Sequence, residues 1–169
     1  MDVDWHFFPY PIPCRFQTYQ WKNCSGKLFS LDQVPVLIFS PCFQITGAGR
    51  GIGRELALQF SKLGCIIVCW DIDLEAAQET ADVVEASGGQ AHAFRGDVSQ
   101  QRDVEATAQK VRGVVPHIDI IINNAGIMPC HPFLSHSIQE IDRCIDINVK
   151  GCIWVSLEQQ RGELKVNSC

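Results

Sequence analysis

Tyrosine is scarce in this chain: there are 2, Tyr10 and Tyr19, and neither is followed four residues later by lysine. Charge of one sign is also missing. Lys and Arg number 14 against 19 Asp and Glu, a net charge of -5, and the charges are scattered. That excludes the basic footprint of a nucleic-acid binder, an acidic tail and a polybasic membrane patch. No apolar run reaches the ~18 residues of a membrane-spanning helix. Acids and prolines at Asp2, Asp4, Pro9, Pro11 and Pro13 interrupt any signal-peptide pattern at the start. Cysteine is plentiful, at 9, yet the count is odd, no Cys-x-x-Cys occurs, and Cys65 and Cys69 sit inside an apolar run. A metal site and a disulfide framework are therefore not expected. The thiols read as reduced and mostly buried, which suits a cytoplasmic location.

What is present falls into two compositions. Residues 1–44 are crowded with aromatics (Trp5, Phe7, Phe8, Tyr10, Phe16, Tyr19, Trp21) and prolines, without a period of 3.6 or 2. The one strand-like run, Val34–Phe39, is bracketed by Pro35 and Pro41. An irregular extension is expected there. From Ile45 the rhythm changes. "GIGRELALQFSKLG" places Ile52, Leu56, Phe60 and Leu63 at helical spacing, with Gly64 as its stop. "CIIVCWD" reads as a strand covered on both faces. Asp73 caps a helix that Gly88 and Gly89 end; "QAHAFRGDV" is a third strand; Ser99 opens a helix to about Val111; "HIDIIINNAG" is a fourth strand. Ser137 to Glu140 is a capping box for a helix with Ile138, Ile141, Ile145 and Val149 on one face. Strands alternating with helices imply βαβ units, hence a parallel sheet with right-handed crossovers.

Chemistry concentrates in Thr46-Gly47-Ala48-Gly49-Arg50-Gly51-Ile52-Gly53. Gly47 permits a tight strand-to-helix turn, Gly51 lets backbone approach a pyrophosphate, and Gly53 lets the helix pack closely on the sheet. The anion then rests on free N–H groups at the helix N-terminus. The next strand ends in Asp71, positioned to accept hydrogen bonds from an adenosine ribose. A carboxylate there repels a 2′-phosphate and favours NAD over NADP, whereas Arg50 pulls the other way.

These residues carry a resemblance. From Ile45 to about Ser156 the chain resembles the first half of a short-chain dehydrogenase/reductase, with TGAGRGIG at 46–53, Asp71, Asp97-Val98, Asn123-Asn124-Ala125-Gly126 and Asn148 in order. "LALQFSKLGCIIVCWDID" further resembles the retinol and steroid dehydrogenase branch, which includes the epidermal retinol dehydrogenases. The resemblance implies an α/β fold, a partial Rossmann unit that is a doubly wound parallel sheet with strands in the order 3-2-1-4. It implies that Asp97 and Val98 flank the adenine, that Asn123 to Gly126 hold the strand end beside the cofactor, and that Asn148 is the tetrad asparagine. With Gly47, Arg50, Gly51, Ile52, Gly53 and Asp71, these form the expected nicotinamide dinucleotide site. His92, His117, His131 and His136 match no position of the pattern and are taken as ordinary loop or surface residues.

The family's chemistry also needs a serine on a fifth strand and a Tyr-x-x-x-Lys, whose tyrosine exchanges the proton. This sequence contains neither in place, and after Ser156 it becomes the polar "LEQQRGELKVNSC". The expectation is a chain truncated before the fifth strand: 1–44 an extension outside the family, 45–156 a partial NAD(P)-binding domain, 157–169 an unrelated tail. The parent reaction would be hydride transfer between NAD(H) and an alcohol or carbonyl of a retinoid, steroid or other lipid, with this chain inactive. The alternatives are a non-catalytic nucleotide-binding module that pairs its open strand edge with a full-length relative, and an unstable gene product. "LIFSPCFQ", all encodable by pyrimidine-rich codons with a terminal CAG, suggests that residues up to Gln44 derive from an unspliced intron or alternative exon. On that view Pro41 interrupts the place where a central strand belongs, and only Phe43 to Thr46 can pair well.

Overall fold

In the computed structural model, residues 40–166 are described, together with two two-residue strands, Trp21–Lys22 and Leu28–Phe29. The chain forms two compact units, Met1–Phe39 and Ser40–Cys169. In the first, the two short strands pair antiparallel, Trp21 opposite Phe29. The rest of the expected extension up to Phe39, including the run Val34–Phe39, lies outside the described residues.

The second unit alternates strand and helix: β1 Cys42–Thr46, α1 Gly51–Lys62, β2 Ile66–Asp71, α2 Leu74–Ala86, β3 Gln90–Arg95, α3 Gln101–Arg112 and β4 Ile120–Ile122. Then follow α4 Ile138–Ile145, a π-helical turn Asp146–Gly151, and α5 Cys152–Val166. The four strands form one parallel sheet in the order β3-β2-β1-β4, as the family resemblance implies. β1 and β2 are buried almost throughout because helices cover both faces. One core layer joins Ile45, Ile67 and Cys69 to Ala57 of α1 and Ala77, Ala81 and Val84 of α2. The opposite layer joins Val68 and Trp70 to Val104, Ala108 and Val111 of α3 and Val155 of α5.

Several local expectations are corrected. Pro41 does not interrupt β1; it precedes it. Its carbonyl accepts the Ile66 N–H at 3.0 Å, and the Cys42 N–H that follows donates to the Asp119 side chain, Oδ2, at 2.7 Å. Proline therefore removes no rung; Phe43 to Thr46 pair as expected, and Cys42 joins them in register with Ile66. The α1 stripe holds in part: Leu56 and Phe60 pack against the core, Phe60 stacked on Phe43 at 4.4 Å between centroids. Ile52 and Leu63 are 76% and 66% exposed, and the buried positions are Gly53, Ala57 and Ser61. Small residues face the sheet because α1 lies close to it. Ser99 does not cap α3: its N–H and hydroxyl both bond Asp97 Oδ1, and Gln100 is the N-cap. The polar segment from Leu157 continues α5 without a break. The apolar positions Ile138, Ile141, Ile145 and Val149 share a face as expected, and that face is exposed.

Candidate functional site

All four strands point their carboxyl ends the same way, and the order reverses between β1 and β4. A crevice outside strand ends at such a reversal is where open α/β sheets bind ligands. Here it is a cleft of about 400 Å³ lined by Gly47, Arg50, Ile52, Asp71, Asp97, Val98, Asn124, Ala125 and Gly126, all drawn from the sequence pattern. Trp70, Ile72, Gly96, Ile127, Arg143 and Ile147 complete it.

The glycine loop is held from three sides. Gly47 has φ +67° and its N–H donates to Trp70 O at 2.8 Å, which starts the turn off β1. Asp71 Oδ2 accepts the Gly49 N–H at 2.9 Å, and its Oδ1 accepts the Asp73 N–H at 3.0 Å. Thr80, fully buried on α2, donates to Ala48 O at 3.0 Å. Gly53 sits so close to the Gly47 carbonyl that no Cβ fits. Gly51 is the opposite case, with open space around a would-be Cβ and φ +56°. At the head of α1, Arg50 occupies the N-cap without a side-chain cap bond, and no acid lies in the first turn. The first-turn N–H groups thus lack the usual protein partner, which suits an anion. The residues present fit a dinucleotide pyrophosphate at this point.

Asp71 is 7% exposed; one oxygen holds the glycine loop and the other the Asp73 turn at the start of α2, so its carboxylate organises the cleft wall as well as facing it. Arg50 reaches away from a phosphate-binding posture to Asp73 Oδ2 at 3.1 Å. Asp97 sits in a turn, its N–H donating to Asp103 Oδ2 at 2.8 Å.

On the β4 side, Asn124 Nδ2 donates to Thr46 O and Gly47 O at 3.0 and 3.1 Å. Thr46 Oγ1 accepts the N–H groups of Asn124 and Ala125, both at 3.1 Å. Asn123 points elsewhere, to Ser156 Oγ at 3.1 Å. Asn148 lies in the π turn and pairs with one residue: its Oδ1 accepts the Ile127 N–H at 2.9 Å, and its Nδ2 donates to Ile127 O at 2.8 Å. It is exposed. π turns inside helices are often found at functional sites.

Thr46, Thr80, Ile127 and Arg143 were missing from the sequence-derived site. Thr46 had a signal, since it heads the glycine motif. Thr80 had none, because a threonine inside an amphipathic helix reads as an ordinary polar residue.

Residues 42–161 match the short chain dehydrogenase family. Human epidermal retinol dehydrogenase 2 is 41% identical over 111 residues, covering 65% of this chain and 36% of that protein. Mouse estradiol 17-beta-dehydrogenase 11 is 37% identical over 112 residues, covering 66% and 38%. Among solved structures, a hydroxysteroid dehydrogenase from Escherichia coli superposes with a TM-score of 0.66 at 34% identity, covering 70% of this chain and 50% of that one. The chain thus spans little more than a third of the length of these curated relatives.

Proposed function

From the premise that this chain belongs to the short-chain dehydrogenase family, we propose that it is the nucleotide-holding half of an oxidoreductase that binds NAD(H) and does not by itself turn over. The observation that carries the reading is the cleft at the β1/β4 reversal, where an uncapped helix start, a braced glycine loop and the buried carboxylate of Asp71 converge. When bound, the dinucleotide supplies hydride transfer with an alcohol or carbonyl, of a retinoid or steroid by analogy with the relatives. This chain's own residues do the holding. The first-turn N–H groups of α1 take the pyrophosphate. Asp71 accepts from the adenosine ribose while keeping Gly49 in place. Asp97 and Val98 flank the adenine, and Asn124, Ala125 and Gly126 form the wall toward the nicotinamide. Asn148 keeps the Ile127 segment in place through both halves of its amide.

NAD is preferred over NADP, because Asp71 and Asp73 set two carboxylates beside the ribose position and Asp73 occupies Arg50. Proton transfer needs an acid–base group worth on the order of 10²–10⁴ in rate. Neither Tyr10 nor Tyr19 supplies the required Tyr-x-x-x-Lys. Six described cysteines are free, three of them buried, consistent with a reducing, cytoplasmic compartment. No helix among the described residues is long and apolar enough to cross a membrane.

The test is an NADH titration followed by energy transfer from Trp70, which lines the cleft. Saturable binding, weaker for NADPH and weaker in Asp71→Ala, supports the reading, as does the absence of alcohol-dependent NAD reduction by the chain alone. No binding by a folded chain rejects it.

A second reading has its own observation. Among the described residues no strand covers the outer edge of β4, where Ile120 is 39% exposed. An unpaired apolar edge recruits another strand, so a full-length relative is a fitting partner. Co-sedimentation with such a subunit, lost on Ile120→Lys, checks it.

A further inference from the structure

The loop after β4 and the start of α4 bring together three side chains that play no part in the cleft. His131 Nε2 lies 3.1 Å from Glu140 Oε1. The His131 and His136 rings stand 4.1 Å apart between centroids, tilted by 33°. One ligand atom from each of His131, His136 and Glu140 falls within 4.8 Å of the others. None of the three lines the dinucleotide cleft.

We propose that His131, His136 and Glu140 form a binding site for a divalent transition-metal ion of the zinc class. Two imidazoles and one carboxylate are a donor set suited to such ions, and three protein ligands leave a fourth position for water. Zinc bonds to these donors run to ~2.0–2.2 Å, so ligand atoms around one tetrahedral ion stand ~3.3 Å apart. The His131–Glu140 hydrogen-bonded pair stands 3.1 Å apart and all three ligand atoms lie within 4.8 Å, so an ion would displace that hydrogen bond and draw both rings toward a common point.

The carboxylate is also pre-aimed. Glu140 belongs to the capping box of α4, and its Oε2 accepts the Ser137 N–H at 2.9 Å and the Ser137 hydroxyl at 3.0 Å. Oε1 is thereby turned toward the two imidazoles. Orientation of a ligand by a partner behind it is a regular feature of metal sites. In sequence the ligands run His131-x₄-His136-x₃-Glu140. Only the 3₁₀ turn Phe133–Ser135 between the histidines and the helical start at Ile138 bring them together. A bound ion would pin this loop to the first turn of α4.

Because the chain carries 9 cysteines, the experiment begins by alkylating accessible thiols of the folded full chain with iodoacetamide. Zinc sulfate is then titrated in competition with a chromogenic chelator, and cobalt(II) is used as a spectroscopic probe. The expected result is one zinc per chain, with ~10-fold or greater weakening in each of His131→Ala, His136→Ala and Glu140→Gln. Glutamine preserves the capping box, so the last variant separates loss of a ligand from loss of the helix cap. The wild-type cobalt complex is expected to show the intense visible absorption of a tetrahedral site without a thiolate charge-transfer band. Unchanged zinc affinity in the three variants, no zinc binding at micromolar concentration, or the weak cobalt spectrum of a hydrated ion would overturn the proposal.

Discussion

Asp71 Oδ2 and the Gly49 N–H meet at 2.9 Å, so the carboxylate ending β2 is a structural member of the glycine loop that precedes it. The same side chain accepts the Asp73 N–H through its other oxygen. A residue assigned to ligand binding from its position in the sequence is thus already engaged in the fold, and the two roles can be separated by measurement.

Asp71→Asn retains one acceptor and loses the charge. Hydrogen bonds to a charged group contribute about 1.5–3 kcal/mol each, so a loss of about 2 kcal/mol is expected in urea unfolding. Asp71→Ala should lose more. If both variants unfold at the wild-type urea midpoint, the bracing role is wrong, whatever happens to NADH affinity.

The loop glycines should rank differently from what equal spacing suggests. At Gly53 a Cβ would collide with the Gly47 carbonyl and come within 2.5 Å of Asn124 Nδ2. Overpacking of this kind costs about 1–3 kcal/mol or more, and Gly53→Ala should also abolish NADH binding by shifting the loop. At Gly51 a Cβ meets nothing, and only φ +56° opposes it, a cost of about 1–2 kcal/mol. Thermal unfolding of the two variants side by side checks the order; a larger loss at Gly51 would contradict it.

Burial pushes the thiols of Cys42 and Cys69 up to about 12, with the carboxylates of Asp119 and Asp71, respectively, adding to the effect. Both folded values lie above the ordinary thiol value. The stability these protonated thiols preserve is therefore intact below pH 9.0 and is lost as pH rises from there toward about 12. Alkaline unfolding should shift to higher pH in Cys42→Ala. Since the thiolate is the nucleophile, iodoacetamide at pH 8 should label exposed Cys130 and spare Cys42 and Cys69 in the folded chain. Peptide mass spectrometry reads this directly.

Asn148→Ala leaves the N–H and C=O of Ile127 without their side-chain partners. Water can reach this exposed position, so the expected loss is about 1 kcal/mol. The sharper readout is hydrogen exchange: the Ile127 amide should lose protection while the β1 amides keep theirs. Equal protection in both chains would rule out the positioning role of Asn148.

The alternation of strands with helices and the place of the glycine turn were legible in the sequence, because hydrophobic period and turn residues act locally, whereas the strand order 3-2-1-4 came from the family resemblance. Pro41 shows where local rules mislead. Proline is excluded from the rungs of a central strand, but one residue outside them it costs nothing, and the ladder decides which residue is first. The α1 face was partly misread for a related reason. Ile52 and Leu63 fit a helical period, yet the buried positions of α1 are Gly53, Ala57 and Ser61, with Leu56 and Phe60 packing at the side of the contact.

The cleft divides along the same line. Gly47, Gly53 and Asp71 were readable because each satisfies a requirement of its own backbone or of a ligand with a known shape. Thr80 under the loop and the cluster of His131, His136 and Glu140 were not, since each depends on segments that only folding brings together. By itself the sequence determined an alternating α/β sheet with a glycine-rich strand-to-helix turn, because periodicity and glycine conformation are properties of short segments. Tertiary structure decided where the first strand begins, which helix face is buried and which side chains meet, because those depend on how closely elements approach one another.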